Sequence, residues 1–190
     1  MTTNLLSRGE VPHRSQAKTE LTWDLTPVFP SEAAWEADLT RAADLVKTLP
    51  QFKGKLKRSG KQLLAYFQLR DSVAQLVEKL YVYSHLKADE DKGNSHYQAM
   101  NERALALYTQ FGEAISWADP ELLSAKPERI EAFVAKTKGL ELYKHKLAEL
   151  MLRRDHVRNP EVEELLAQYS QVSQGPSNTF SMLDNADLKL

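Results

Sequence analysis

The residues of this sequence whose types could do chemistry gather in one stretch, YSHLKADEDKGNSHY (residues 83–97), where His85 and His96 bracket Asp89, Glu90 and Asp91. Imidazole nitrogens beside carboxylates suit a divalent metal or acid–base catalysis. Spacing tests both ideas. An EF-hand loop needs oxygen ligands at positions 1, 3 and 5, glycine at 6 and glutamate at 12. Counted from Asp89, position 3 is Asp91, but position 5 is Gly93, position 6 is Asn94 and position 12 is Met100. Helical zinc pairs such as H-E-x-x-H place two histidines one turn apart on one face. His85 and His96 stand eleven positions apart with a turn between them. Both lie near one hairpin tip, so convergence on a metal stays open.

A turn between helices explains more of these residues. Ser95 and Gln98 have capping-box spacing. The acids precede a helix start, where the dipole favours anions, and Gly93 permits a reversal. A second candidate, RRDHVRNPEVEELLA, gathers Arg153, Arg154, His156, Arg158, Glu161, Glu163 and Glu164. His156 with downstream glutamates could serve acid–base work, although cations closing one helix and anions opening the next give the same pattern. The basic run QFKGKLKRSGK holds Lys53, Lys55, Lys57, Arg58 and Lys61 with no acid. It reads as a solvated loop rather than an anion contact, because Phe52 alone offers no stacking platform. There is no G-x-S-x-G, glycine-rich phosphate loop or CxxC motif. From the residues alone, no position is assigned as catalytic, cofactor-binding or metal-binding.

The elements that position these residues read as helices throughout, giving an all-α fold. Ser31 is an N-cap for a helix carrying Trp35, Leu39, Ala42, Val46 and Leu49, closed by Leu49–Pro50. Ser59 and Gln62 open a long helix reaching about residue 88. Along it Leu69, Val73, Leu76, Leu80 and Tyr83 step by three and four, widened by Leu63, Phe67, Val77 and Tyr81. A second long helix, 95 to 117, carries Tyr97, Met100, Ala104, Leu107, Phe111 and Ala114. Two such helices joined by a short polar link predict an antiparallel hairpin. Beyond it, Asp119 is read as an N-cap with Pro120 first in the helix, and Pro127 opens another. Gly139 ends that helix, and Leu140 starts one with Tyr143, Leu147, Leu150 and Met151. A last helix runs from Asn159 and Pro160 to Gln174, ended by Gly175–Pro176. No segment alternates with the period of a strand, and no repeat of 33 to 45 residues stands out.

Residues 1–30 read as an extended segment packing on the domain through Trp23, Leu25, Val28 and Phe29. Residues 31–176 form the helical domain, and 177–190 start a connection to something further. The chain can bury a core, being 42% hydrophobic in 190 residues. Its 25 basic and 26 acidic residues nearly cancel, so no global field points to nucleic acid or an anionic membrane. With no cysteine, disulfides, zinc ribbons and thiol chemistry are excluded. The first residues lack a signal-peptide core, and no stretch nears the roughly 18 apolar residues of a membrane span. A cytoplasmic location is the expectation.

Several segments together resemble the N-terminal region of oligoendopeptidase F, a zinc metallopeptidase family of the thimet-oligopeptidase clan. Arg8 to Pro12 (RGEVP) and TWDLTPVFPSEAAWEADL are similar to the family's opening, with Trp23, Asp24, Leu25 and Trp35 in matching places. YSHLKADEDKGNSHYQAMNERA is similar to its helical hairpin. SWADPELL, LELYKHKLAELMLRRDHV, EVEELLA and FSMLDNADLKL continue the match in order, from Arg8 to the end. The resemblance implies an almost wholly helical fold and an N-terminal part that helps enclose a substrate cavity over zinc. It also implies that zinc is bound through an H-E-x-x-H helix and a later glutamate, with the motif glutamate activating water. That motif is missing here, so no catalytic residue carries over. The expected partners are a C-terminal catalytic domain and oligopeptides, with self-association through an uncovered apolar patch. The alternative is a stand-alone helical interaction module.

Overall fold

The computed structural model describes residues 18–91, 93–156, 169, 173 and 175–182. The chain divides into two compact units, Met1–Glu141 and Leu142–Leu190. Among the described residues the regular elements are all helical, and no strand occurs.

In the first unit, α1 (Glu32–Val46) begins at the predicted cap, where Ser31 Oγ accepts from the Ala34 N–H at 3.2 Å. It ends at Val46, earlier than Leu49–Pro50. The chain then tightens into a 3-10 turn, Leu49–Phe52, which takes Pro50 in its first turn, where no N–H is needed. The long helix α2 (Gly60–Glu90) starts on Ser59, whose Oγ accepts from the Gln62 N–H at 3.3 Å. Its 31 residues span about 46 Å. After residues 91–94 the chain returns as α3 (Ser95–Ile115), giving the predicted hairpin. Helix α1 packs on both arms.

The stripes become the core. Leu63, Phe67, Val73, Val77, Leu80 and Tyr83 of α2 are buried, as are Met100, Ala104 and Leu107 of α3 and Trp35, Ala42 and Val46 of α1. Each fully buried large apolar side chain contributes about 1.5–3 kcal/mol, so this seam outweighs any surface ion pair. Trp35 is wholly buried and donates its indole N–H to the Leu80 carbonyl at 3.0 Å, fixing α1 on α2.

Of the four N-terminal anchors, Leu25 and Phe29 are buried, Val28 is half-buried and Trp23 stays 59% exposed. Residues 18–30 turn rather than extend. A 3-10 turn covers Thr19–Leu21, and Asp24 Oδ1 accepts from the Thr26 N–H and hydroxyl. The Leu25 carbonyl accepts from Val28 and Phe29, which curls Phe29 inward against Tyr83 at 5.3 Å.

Two caps differ from the sequence reading. Helix α3 is capped by Asn94, not Ser95: Asn94 Oδ1 accepts from His96 N at 3.0 Å and Tyr97 N at 3.3 Å. The Asp91 carbonyl and side chain hold Asn94 N and Gly93 N, presenting Asn94 to the helix end. Helix α4 (Ala118–Leu123) is preceded by Trp117, not Asp119. Ser116 and Trp117 keep helical angles, so no extended residue is left to cap, and Asp119 falls in the first turn. Pro127 opens α5 (Pro127–Lys136) as predicted, and α5 ends at Thr137, just before Gly139 with φ +97°. Helix α5 lies against the start of α2 at Gly60, where a Cβ would meet Thr137 Oγ1 at 2.1 Å.

Leu140–Tyr143 form a 3-10 turn, and the second unit holds α6 (Lys144–Leu152), with Leu147 and Leu150 buried, and α7 (Gly175–Met182). Gly175 and Pro176 therefore open a helix rather than end one, since proline fits a first turn. The predicted start of the preceding helix at Asn159 and Pro160 lies outside the described residues.

Candidate functional site

The hairpin tip does not assemble a metal site. His85, on α2, stacks on Tyr81 at 5.3 Å and 18°, and its Nε2 lies 3.4 Å from Asp89 Oδ2 one turn on. His96 turns to α1 instead, where its Nε2 donates to Glu32 Oε2 at 2.8 Å. The two histidines engage different carboxylates. No group of three or more His, Asp or Glu converges as a metal ligand set among the described residues. None of the five histidines has a second histidine four positions on. The described residues do not fit zinc.

The contact of His96 is one end of a polar clasp between α1 and α3. One turn along α1 from Glu32, Glu36 accepts both guanidinium nitrogens of Arg103 at 2.6 Å each. These hydrogen bonds hold the Glu36 carboxyl below the usual carboxylate range and raise the Arg103 guanidinium. Arg103 also lies over the Trp35 ring at 5.4 Å, so the clasp covers the anchor of α1. A bidentate pair fixes direction as well as distance. Lys79 sits over the Phe29 ring at 4.4 Å, and burial raises the Tyr83 phenol against which Phe29 packs.

The basic run is folded down by one carboxylate. Glu121 of α4 accepts from Gly54 N at 2.6 Å and Leu56 N at 2.8 Å, and Leu56 is fully buried. Gly54 supplies the φ of +74° that aims its N–H there. Lys57 Nζ donates to Ser124 Oγ at 3.0 Å, and Arg129 donates to the Arg58 carbonyl at 3.3 Å. Lys57, Ser124, Lys126, Glu128 and Arg129 line an open cavity of about 500 Å³. Nearby, Tyr66 packs among Phe52, Phe67 and Trp117, and burial pushes its phenol up to about 12.

In the second candidate cluster, Arg153–His156 form a 3-10 turn, while Arg158, Glu161, Glu163 and Glu164 lie outside the described residues. Sequence reasoning missed the clasp and the Glu121 contact. A signal for the clasp existed: Glu32 and Glu36 recur one turn apart on α1, and His96 and Arg103 two turns apart on α3. Glu121 carried none, being 67 residues from Gly54.

Comparison with known proteins identifies what this scaffold is similar to. A family model described as Oligopeptidase F matches residues 121–189. Oligopeptidase PepF of Bacillus subtilis (strain 168) is 38% identical over 180 residues, covering 95% of this chain and 27% of that protein. The plasmid-encoded oligoendopeptidase F of Lactococcus lactis subsp. cremoris is 35% identical over 185 residues, 97% of this chain and 30% of that protein. The crystal structure of oligoendopeptidase-F from Enterococcus faecium superposes with a TM-score of 0.67 at 34% identity, over 83% of this chain and 31% of that one. The chain thus spans about three tenths of the length of the relatives it matches. By sequence along nearly its whole length, and by fold, it is a homologue of the N-terminal domain of the oligoendopeptidase F family.

Proposed function

We propose that this chain is the non-catalytic N-terminal domain of a zinc-dependent oligoendopeptidase, and that it forms part of the wall or gate of a cavity admitting short peptides. The supporting observation is a match running the length of the chain but covering only 27–31% of its relatives. A wall must be stiff, and the hairpin supplies stiffness: a helix of 31 residues with a buried seam, braced by α1 through Trp35 and the Glu36–Arg103 pair. The role of these residues is shape and exclusion, holding a rigid surface so that only narrow substrates reach the reacting bond. Peptide hydrolysis belongs to the proposal through the relatives, and zinc and a cytoplasmic setting through the family resemblance alone.

The test is a chimaera in which this chain replaces the matching 27% of the Bacillus subtilis relative. It should retain zinc, cleave short quenched-fluorescent peptides and leave unfolded casein intact. A version lacking the domain altogether, yet folded by circular dichroism and still holding zinc, should lose that length limit. An unchanged length limit in that version would refute the wall role. A chimaera that folds but cleaves nothing would favour a stand-alone interaction module.

A further inference from the structure

The two flanks of α3 differ. The flank toward α1 carries His96 and Arg103, both paired with α1 carboxylates. The other flank carries Gln98, Asn101, Leu105, Tyr108 and Gly112, which recur by three and four and so form a second stripe along the helix. It holds no charge at any of these positions. Leu105 is 48% exposed and Tyr108 50%, with Tyr108 resting against Tyr81 of α2 at 5.9 Å. The Tyr81–His85 stack continues the surface onto α2.

Gly112 is a second unusual feature of this flank. It stands inside α3, where glycine is the poorest helix former after proline. A Cβ there would meet nothing within 4 Å, so no packing among the described residues calls for a glycine. At Gly60, by contrast, α5 occupies the space a side chain would need. A glycine without such a neighbour, on an uncharged stripe with Leu105 and Tyr108 exposed, suits close approach by a body outside the described residues.

We infer that the Leu105–Tyr108–Gly112 flank of α3 is a docking surface for the remaining part of the protein, the portion by which the matched relatives exceed this chain. The inference rests on the reading of the chain as one domain of a larger peptidase. The choice of occupant follows from length. The relatives extend well beyond the region matched here, which is 27–31% of their own length. A helix flank without charges also suits a permanent internal interface, where charged residues are depleted at the core.

The chain has no cysteine, so single introduced thiols report exposure cleanly. Leu105→Cys and, at an exposed position of α1, Ala37→Cys would each be reacted with a maleimide, in this chain alone and in the chimaera with the Bacillus subtilis remainder. A background chimaera without either substitution corrects for other thiols. In the chain alone both variants should react fast at every concentration. In the chimaera, the Leu105→Cys variant should slow by about tenfold or more while the Ala37→Cys variant stays fast. An unslowed thiol at position 105 in a peptide-cleaving chimaera would overturn the docking surface while leaving the peptidase reading intact. Slowing confined to the thiol at position 37 would put the interface on another face. Concentration-dependent protection of position 105 in the chain alone would show that a second copy covers the flank, and protection at all concentrations that the chain itself does; either overturns the assignment. Should the chimaera fail to fold, cysteine at the aligned position of the intact relative gives the same decision.

Discussion

Replacing Glu121 by glutamine changes no volume and removes one acceptor, which isolates the contribution of the contact between α4 and the basic loop. The carboxylate receives two backbone N–H groups, from Gly54 at 2.6 Å and Leu56 at 2.8 Å. Glutamine keeps one oxygen and turns an NH2 group toward the other donor. Hydrogen bonds to a charged acceptor contribute about 1.5–3 kcal/mol each, and a part-buried N–H left facing a donor loses that contact outright. The expected loss is therefore about 2 kcal/mol for Glu121→Gln. Alanine, which removes both acceptors, should cost about 3–4 kcal/mol. In a domain of this size about 2 kcal/mol lowers Tm by about 4–8 °C. Urea unfolding followed by far-ultraviolet circular dichroism measures it, with the m-value unchanged if only the native state is touched. The loop should also loosen locally, seen as faster amide exchange at Gly54 and Leu56. A Glu121→Gln variant within about 0.5 kcal/mol of the parent, with those amides still protected, would refute the assigned contact.

Two glycines should respond in opposite directions. Gly112→Ala should stabilise the isolated chain by about 1 kcal/mol, because helix propensity improves and nothing blocks the new methyl. Gly60→Ala should destabilise it by about 1–3 kcal/mol, since the methyl would strike Thr137 and Phe133; thermal melts of the pair distinguish the two. The clasp predicts a pH effect of fixed sign. The Glu36 carboxyl is depressed chiefly by its hydrogen bonds from Arg103, so its contribution is present above the unfolded value near 4.5 and is lost as pH falls through the lower folded value. Both side chains are about half exposed, so the contribution stays below about 1 kcal/mol. Glu36→Gln should flatten that part of the acid limb of stability, measured by urea titration from about pH 5 to about pH 3.

Much of this fold was legible because helix packing is written locally. The stripes of α2 and α3 alternate by three and four, and most of their residues form the buried seam, while Leu69, Tyr81, Tyr97, Phe111 and Ala114 are half-buried. Ser31, Ser59 and Pro127 marked helix starts correctly because each stands alone as the good candidate at its boundary. Where two candidates adjoined, geometry beyond the sequence decided. Asn94 displaced Ser95 because the Asp91 turn delivers its side chain to two N–H groups. Trp117 precedes α4 because the chain never leaves helical angles after α3. The hairpin tip shows the same limit for chemistry. Two histidines near one tip could have converged, yet His96 is drawn to Glu32, 64 positions away, a partner that no local pattern names. The docking flank was hidden for another reason, since the period of three and four that reveals a core stripe also fits a stripe awaiting a partner.

Whether this chain supplies scaffold alone, with the peptidase centre elsewhere, is decided by pairing zinc content with cleavage of a quenched-fluorescent oligopeptide. Both are read on the purified 190-residue chain beside the full-length Bacillus subtilis relative. The relative should cleave the peptide in a metal-dependent manner, while the chain alone keeps no stoichiometric zinc after dialysis and leaves the peptide intact. Metal-dependent cleavage by the chain, free of contaminating peptidase, would contradict the scaffold reading.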